Sequence, residues 1–146
     1  TLFSVVEHMD DKSLFFLLPE FRRICRGLVY ILVPNKLKKT DDHTLLPLLP
    51  LLPRFFSLLL LKFLPNRYRY GLSEDRSWDV YYRTYFKLKR MVSQHFHVLV
   101  LDDLYAFPSF STFKASRSYK LCQAFEKFNI DSTFIKPYLN LILIPK

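Results

Sequence analysis

The sequence predicts an α+β fold in which amphipathic helices pack on a small, mainly parallel sheet, with an extended Leu/Pro-rich arm. Three observations support this fold class. A helical period free of proline and glycine runs from Ser73 to Phe96. Two apolar runs, His97–Leu101 and Tyr138–Ile144, have the length and composition of buried strands. A Leu-Leu-Pro triplet occurs three times between residues 45 and 53, where a regular helix is disfavoured.

The Ser73–Phe96 segment is predicted to be the central helix, with an aromatic face to bury and a basic face to expose. Ser73 is a suitable N-cap, and Glu74 and Asp75 follow it where the helix dipole favours negative charge. At about 100° per residue, the buried face comprises Trp78, Tyr81, Tyr82, Tyr85, Leu88, Val92 and Phe96, and the opposite stripe comprises Arg76, Arg83, Lys87 and Arg90.

The N-terminal region, 1–39, is predicted to be helical after a short strand at Leu2–Val6. Pro19 suits the first position of a helix that ends before Pro34. Gly27 within it costs about 1 kcal/mol relative to alanine. Its buried face would be Phe21, Ile24, Cys25, Leu28 and Leu32, and its basic face Arg22, Arg23 and Arg26.

Residues 40–71 are predicted to form the Leu/Pro-rich arm and a basic turn. The triplet period matches polyproline II, and a helix is expected over Arg54–Leu64. Leu45–Leu64 is long enough for a membrane span, which needs ~20 residues. However, its prolines and the charges of Arg54 and Lys62 oppose a span. Two other interpretations remain: an interfacial helix, and an arm packed against protein partners.

Residues 72–146 are predicted to form the core, in the order helix, strand, helix, strand. The helix between the two strands begins at Ser111 or Ser116; Leu121, Cys122, Phe125 and Phe128 would be buried and Lys120, Gln123 and Lys127 exposed. This spacing is typical of a βαβ unit, so we expect the two strands to be parallel, with Leu2–Val6 as a third strand.

The composition favours a polyanionic partner. The formal net charge of the 146 residues is +9, which is typical of proteins that bind RNA, DNA or anionic lipid. Only 2 glycines leave few places where the backbone could approach a phosphate closely, which argues against nucleotide-binding folds. Cys25 and Cys122 are expected to be buried, reduced thiols, with a disulfide between them as the alternative. The chain begins with Thr, so we expect that a segment has been removed or that the true start lies upstream.

Candidate catalytic residues are few. Asp102 and Asp103 follow a predicted strand and could bind a divalent metal, as in a nuclease. However, adjacent strand residues point to opposite faces, and the other acidic pairs, Asp10-Asp11 and Asp41-Asp42, are interpreted as solvated turns. His95 and His97 have no third ligand nearby in the sequence. Because no nucleophile or phosphate-loop motif is present, we expect no enzyme activity, no cofactor, no metal and no small-molecule substrate.

The leading functional hypothesis is a structural, RNA-binding subunit of a large ribonucleoprotein, specifically a divergent mitochondrial ribosomal protein. The basic, aromatic- and leucine-rich, glycine-poor composition is the basis for the mitochondrial location. Neighbouring proteins of the assembly would contact the arm. The predicted contacts to ribosomal RNA are Arg22, Arg23, Arg26, Arg67, Tyr68, Arg69, Tyr70, Arg76, Arg83, Lys87 and Arg90.

The alternative hypothesis is a membrane-associated accessory subunit of a mitochondrial respiratory or ATP synthase complex. In that case Leu45–Leu64 would lie at the lipid interface, and the basic helix faces would meet anionic head groups. The two hypotheses differ in whether detergent is needed to extract the protein.

Overall fold

A computed structural model describes residues 2–3, 5–64, 79–101 and 117–146. These residues form four α-helices and one four-stranded sheet. The strands are β1 (Leu2–Phe3), β2 (Val29–Pro34), β3 (Phe96–Val100) and β4 (Tyr138–Pro145). The helices are α1 (Asp11–Ile24), α2 (Arg54–Phe63), α3 (Tyr85–Val92) and α4 (Arg117–Lys127). Short 3-10 turns lie at Val6–His8, Leu49–Leu51 and Thr133–Ile135.

The sheet is mainly antiparallel, so the prediction of a mainly parallel sheet was wrong. Its strand order is β1-β2-β4-β3. β4 lies between β2 and β3 and is antiparallel to both, whereas only the two-residue β1 pairs in parallel, with β2. β3 and β4 are therefore antiparallel neighbours, which a parallel βαβ crossover does not allow. The spacing of the two strands and the helix between them did not fix the strand direction, because the connection returns the chain to the neighbouring position in the opposite direction. β2, which sequence analysis assigned to a helix, pairs with the other side of β4.

The positions of β3 and β4 were predicted to within one residue. β3 begins one residue before the predicted run and ends one residue earlier, and β4 is longer than predicted by one residue. Every second residue of β4 from Leu139 to Leu143 is buried. This period-2 pattern is the signature of a strand with one face against the core.

The main core lies between that face of the sheet and the helices α1 and α3. Ile31 of β2 is paired with Leu141 of β4, and both are fully buried. Leu14 and Leu18 of α1 cover the sheet, together with Leu88 of α3. The remaining buried members are Val6, Val29, Val33, Tyr85, Val92, Phe96, Leu139 and Leu143. α1 and α3 thus fix the segments that carry most of the predicted basic residues.

The first helix begins earlier and ends earlier than predicted. The Asp10 side chain caps it by accepting from the Ser13 amide at 2.6 Å, so Asp10 is a helix cap rather than a solvated turn. Pro19 lies inside the helix, not at its first position as predicted. It is exposed, lacks an amide donor, and its ring crowds the carbonyl four residues earlier. Beyond Gly27 the chain becomes β2, a buried strand in which the β-branched Val29, Ile31 and Val33 fit better than in a helix. Ile24 and Leu28, predicted to be buried, are 63 % and 62 % exposed.

Within the described part of the predicted central helix, residues 79–96, the helix covers Tyr85–Val92. Its N-cap is Thr84, whose side chain accepts from the Lys87 amide. The preceding residues 79–83 are extended, because their backbone pairs elsewhere: the Tyr81 amide donates to the Glu7 carbonyl, and the Arg83 carbonyl accepts from the Lys36 amide. Residues 73–78, including the predicted N-cap and Trp78, lie outside the described residues.

The Leu/Pro-rich segment is neither extended nor polyproline II over its triplets. Leu45 and Leu48 have positive φ angles of 59° and 63°, and Leu49–Leu51 form a 3-10 turn. Leu49 is fully buried with Leu61 of α2 and Val80, which makes a second small hydrophobic cluster. The helix predicted from Arg54 is confirmed as α2.

α4 begins at Arg117, close to the predicted start at Ser116. Cys122 is buried as predicted, and burial raises the pKa of its thiol. Leu121 and Phe128 are 47 % and 77 % exposed, contrary to prediction. Cys25 is half-buried, and both cysteines are free thiols.

Candidate nucleic-acid interface

The predicted RNA contacts fall into three structural groups. Arg67, Tyr68, Arg69, Tyr70 and Arg76 lie outside the described residues. Arg83 and Lys87 lie at the start of α3, at the edge of a cleft. Arg22, Arg23, Arg26 and Arg90 lie at or just beyond the C-terminal ends of α1 and α3.

Arg83 is buried and is used inside the protein. Its side chain is 3 % exposed, and Nε donates to Asp11 Oδ1 at 2.8 Å. Nη1 donates to the carbonyls of Val6 at 2.9 Å and Tyr81 at 3.2 Å, and Nη2 donates to that of Met9. A guanidinium can satisfy several carbonyls at once because its donors form a rigid fork. The donors of Arg83 are therefore committed to the protein itself and do not face an RNA phosphate.

Asp11 links Arg83 to Lys87. Its other carboxylate oxygen accepts from Lys87 Nζ, while the lysine side chain stays 54 % exposed. Partial burial alone would raise the pKa of Asp11, but the hydrogen bonds from Lys87 and Arg83 outweigh it, and the pKa is lowered. Lys87 therefore retains an exposed ammonium group whose charge is only partly balanced.

A basic cleft lies between the Leu/Pro-rich segment and the start of α3. Its volume is about 240 Å³. Arg54 of α2 donates to the Val80 carbonyl at 2.6 Å and stacks over the Tyr81 ring at 3.8 Å. The lining consists of Lys36, Arg54, Arg83, Lys87, Asp11, Tyr81, Tyr82, Pro50, Leu52 and Val80. Besides the internally used Arg83, three cations, one carboxylate and two tyrosines line the cleft, so it has the charge and the aromatic surface that suit a phosphate beside a base.

A second basic surface, which we call the basic end, lies where α1, α3 and β4 finish together. Arg22 donates to the Lys146 main-chain oxygen at 3.1 and 2.7 Å, and Lys146 Nζ donates to the Ser93 carbonyl at 2.6 Å. Arg23 forms an exposed ion pair with Glu20 at 2.7 Å. The exposed cations of the basic end are Arg22, Arg23, Arg26, Arg90 and Lys146.

A buried carboxylate organises the loop after β2. Asp41 is fully buried, contrary to its interpretation as a solvated turn. It accepts from the Thr44 amide and hydroxyl and from the Tyr82 phenol. Burial, then the hydrogen bond to Asp41, raises the pKa of Tyr82. The acidic pair in the sequence gave no signal for this role, since its partner lies 41 residues away.

Sequence reasoning also missed a group of metal-ligand side chains. Glu7 and His8, from the Val6–His8 turn, meet His43, from the loop after β2. One ligand atom from each lies within 4.8 Å of the other two. The sequence offered only a Glu-His dipeptide and a distant histidine, a pattern far too common to predict a site.

α2 exposes an apolar surface, which we call the apolar face of α2. Ser57 and Leu61 are buried beneath the helix, and Ser57 Oγ donates to the Leu49 carbonyl at 3.3 Å. The outward residues are Phe55, Phe56, Leu58, Leu59, Leu60 and Phe63, which are 40–78 % exposed. The helix therefore presents hydrophobic side chains to its surroundings.

Of the helices in the described parts of the chain, none combines the length and the apolar character that crossing a membrane requires.

Comparison of the chain with protein-family models, with curated proteins and with solved structures gave no match.

Proposed function

We propose that this protein is a structural, RNA-binding subunit of a large ribonucleoprotein, specifically a divergent mitochondrial ribosomal protein without catalytic activity. The composition that led to this hypothesis is a net charge of +9 with abundant aromatic residues and few glycines. Phosphate contacts supply affinity without reading sequence, so they do not require a base-specific pocket.

The basic cleft is the observation that supports the proposal best. It is concave, it combines cations with tyrosines, and Lys36, Arg54 and Lys87 reach it from three different chain segments. A phosphate there would be met by several charges, whereas cations scattered over a surface meet it one at a time. The basic end, with Arg22, Arg23, Arg26 and Arg90, would contact a second stretch of the RNA backbone.

The test is RNA binding by three charge-matched double variants, measured by fluorescence anisotropy with labelled RNA over a series of salt concentrations. The cleft variant is Lys36→Gln/Lys87→Gln, and the basic-end variant is Arg26→Gln/Arg90→Gln. Arg22 stays in place because it holds Lys146. The control is Lys120→Gln/Lys127→Gln, which removes the same charge from the exposed surface of α4.

We expect the cleft and basic-end variants each to bind RNA at least about tenfold more weakly. The slope of log affinity against log salt concentration should fall in magnitude by roughly 0.7 for each phosphate of a single strand that the variant no longer neutralises. The control should bind like the unmodified protein. Equal decreases in affinity for all three variants would mean that only net charge matters and would remove the cleft as the site. Failure of the unmodified protein to bind RNA would overturn the proposal.

The second candidate function is a membrane-associated accessory subunit of a respiratory or ATP synthase complex. The observation that favours it is the apolar face of α2, with Lys62 beside Phe63 at the end of the helix. A short helix with apolar residues outward can lie in the head-group region of a bilayer, with nearby cations on anionic lipid.

Sedimentation of native complexes from detergent-solubilised organelles, with and without RNase, separates the two functions. Release of the protein from a heavy particle by RNase is expected for the ribonucleoprotein subunit. Indifference to RNase, together with migration among membrane complexes, would contradict that function and support the membrane-associated one.

A further inference from the structure

We propose that Glu7, His8 and His43 form a zinc site that fastens the loop after β2 to the N-terminal turn. This inference is independent of RNA binding. The sequence interpretation expected no metal, because the only histidine pair that it considered was His95 with His97. The structure instead brings together one carboxylate and two imidazoles, with a ligand atom of each within 4.8 Å of the others.

The donor set selects the metal. Two imidazole nitrogens and one carboxylate oxygen are a common ligand set for Zn²⁺, whereas Ca²⁺ and Mg²⁺ prefer oxygen ligands alone. Bonds of about 2.0–2.2 Å would bring the ligand atoms closer together than they lie now, by roughly 1 Å. His8 and His43 can supply this movement, because their rings meet edge to face with centroids 5.4 Å apart and both side chains are only half-buried.

The surroundings of the three ligands support a built site. Glu7 is 3 % exposed, so a metal ion bound to its carboxylate would be shielded from bulk water on that side. His8 Nδ1 is buried and makes no hydrogen bond with the described residues, although Asp79 Oδ1 lies 3.1 Å away. A carboxylate beside a metal-binding imidazole commonly orients the ring and raises its basicity.

A cavity beside the ligands leaves room for a further ligand. Its volume is about 170 Å³, and its lining includes Glu7, His43, Asp42 and Tyr138. A water molecule in this cavity could therefore complete four-coordination. The site joins the Val6–His8 turn and the loop after β2, which are far apart in sequence. A metal bound to both stabilises the fold because it does not bind the unfolded chain equally well.

The chain offers a matched control, since it has four histidines and only two of them lie at the site. Purified full-length chain is stripped with a chelator, titrated with ZnCl₂ by calorimetry, and analysed for zinc content and for melting temperature. The site variant is His8→Ala/His43→Ala, and the control is His95→Ala/His97→Ala. Both remove two imidazoles, so unspecific zinc binding is reduced equally.

We expect the unmodified chain and the control to bind one zinc per chain and to melt at a higher temperature with zinc. The site variant should lose this stoichiometric binding, with affinity at least about 100-fold weaker, and should show no zinc-dependent rise in melting temperature. If the double variant does not fold, the same zinc titration is made with the single variant His43→Gln. This variant is expected to fold, because His43 is half-buried in a loop. Zinc binding that survives in the folded site variant, that is lost equally in the control, or that is absent from the unmodified chain would overturn the proposal.

Discussion

Arg83 and Asp11 form an ion pair that joins the start of α3 to the start of α1. Nε of the arginine lies 2.8 Å from Oδ1 of the aspartate, and the arginine side chain is 3 % exposed while that of the aspartate is 49 % exposed. The buried partner also donates to the Val6, Met9 and Tyr81 carbonyls. The Arg83 side chain therefore joins the Val6–His8 turn and the start of α1 to the segment before α3. Sequence analysis had expected this arginine to contact a phosphate.

Replacing Arg83 with glutamine should destabilise the fold by about 2–3 kcal/mol, because buried carbonyls that lose their donors cost about 1–3 kcal/mol each and glutamine can replace only some of the donors. Urea unfolding followed by circular dichroism measures the change. Arg90→Gln, at an exposed position of α3, is the control and should change the free energy of unfolding by less than about 0.5 kcal/mol. Equal effects of the two variants would show that the buried hydrogen bonds of Arg83 contribute little.

Asp11 should make the stability depend on pH at the acidic end. Its pKa in the folded protein is lowered below the ordinary 3.8, so its stabilising contribution is present above about pH 4 and is lost as pH falls through the folded value. Asp11→Asn should therefore be less stable than the unmodified protein near neutral pH, and the difference should shrink as the pH is lowered below about 4. Unfolding in urea across this range measures it. The exposed-pair variant Glu20→Gln is the control, and a difference for Asp11→Asn that stays constant with pH would contradict the assignment.

The hydrogen bond from Tyr82 to Asp41 should couple the two residues energetically. Asp41 is fully buried, so Tyr82→Phe removes a donor from a carboxylate that water does not reach, at a cost of about 1–3 kcal/mol. In a double-mutant cycle with Asp41→Asn, we expect a coupling energy of about 0.5–3 kcal/mol. Tyr30→Phe is the comparison, because its phenol donates to the neutral amide oxygen of Asn140, and it should cost less. Additive effects of Tyr82→Phe and Asp41→Asn would contradict the coupling.

Sequence analysis recognised the two strands that stand out by their own composition. β3 and β4 are short, largely apolar runs, so composition alone was enough to place them within one residue. β2 was missed because Val29–Pro34 follows an arginine-rich helical segment, and its apolar residues also fit a helical period. The error in strand direction came from the spacing of β3, α4 and β4, which is typical of a parallel βαβ unit but also fits an antiparallel connection.

The candidate sites depended on long-range contacts, and these were largely unpredictable. The charge of Lys36 and Arg54 is visible in the sequence, but their meeting with Lys87 depends on how the Leu/Pro-rich segment folds back. The fold of that segment is set by Asp41, which holds Thr44 and Tyr82, while Leu45 and Leu48 adopt positive φ angles that leucine rarely takes. A three-residue repeat gives no sign of such a turn, so periodicity predicted an extended arm.

The apolar face of α2 should be dispensable for folding but necessary for association. Three exposed residues are replaced in Phe56→Gln/Leu59→Gln/Phe63→Gln, since glutamine has a helix propensity close to that of leucine. We expect the melting temperature to stay nearly constant, while self-association, measured by sedimentation velocity, decreases. Leu61→Ala on the buried side is the comparison and should cost about 2–4 kcal/mol, because it leaves a cavity beside Leu49 and Val80.

Vesicle binding by the triple variant distinguishes whether the apolar face of α2 contacts lipid or neighbouring proteins. If the unmodified protein co-sediments with anionic vesicles and the variant does not, the face contacts lipid, as the membrane-associated function requires. If neither protein binds vesicles, the face is a contact for protein neighbours within an assembly, as expected for a ribonucleoprotein subunit. A strong decrease in the stability of the triple variant would contradict both, because it would mean that the replaced side chains are covered by the protein itself.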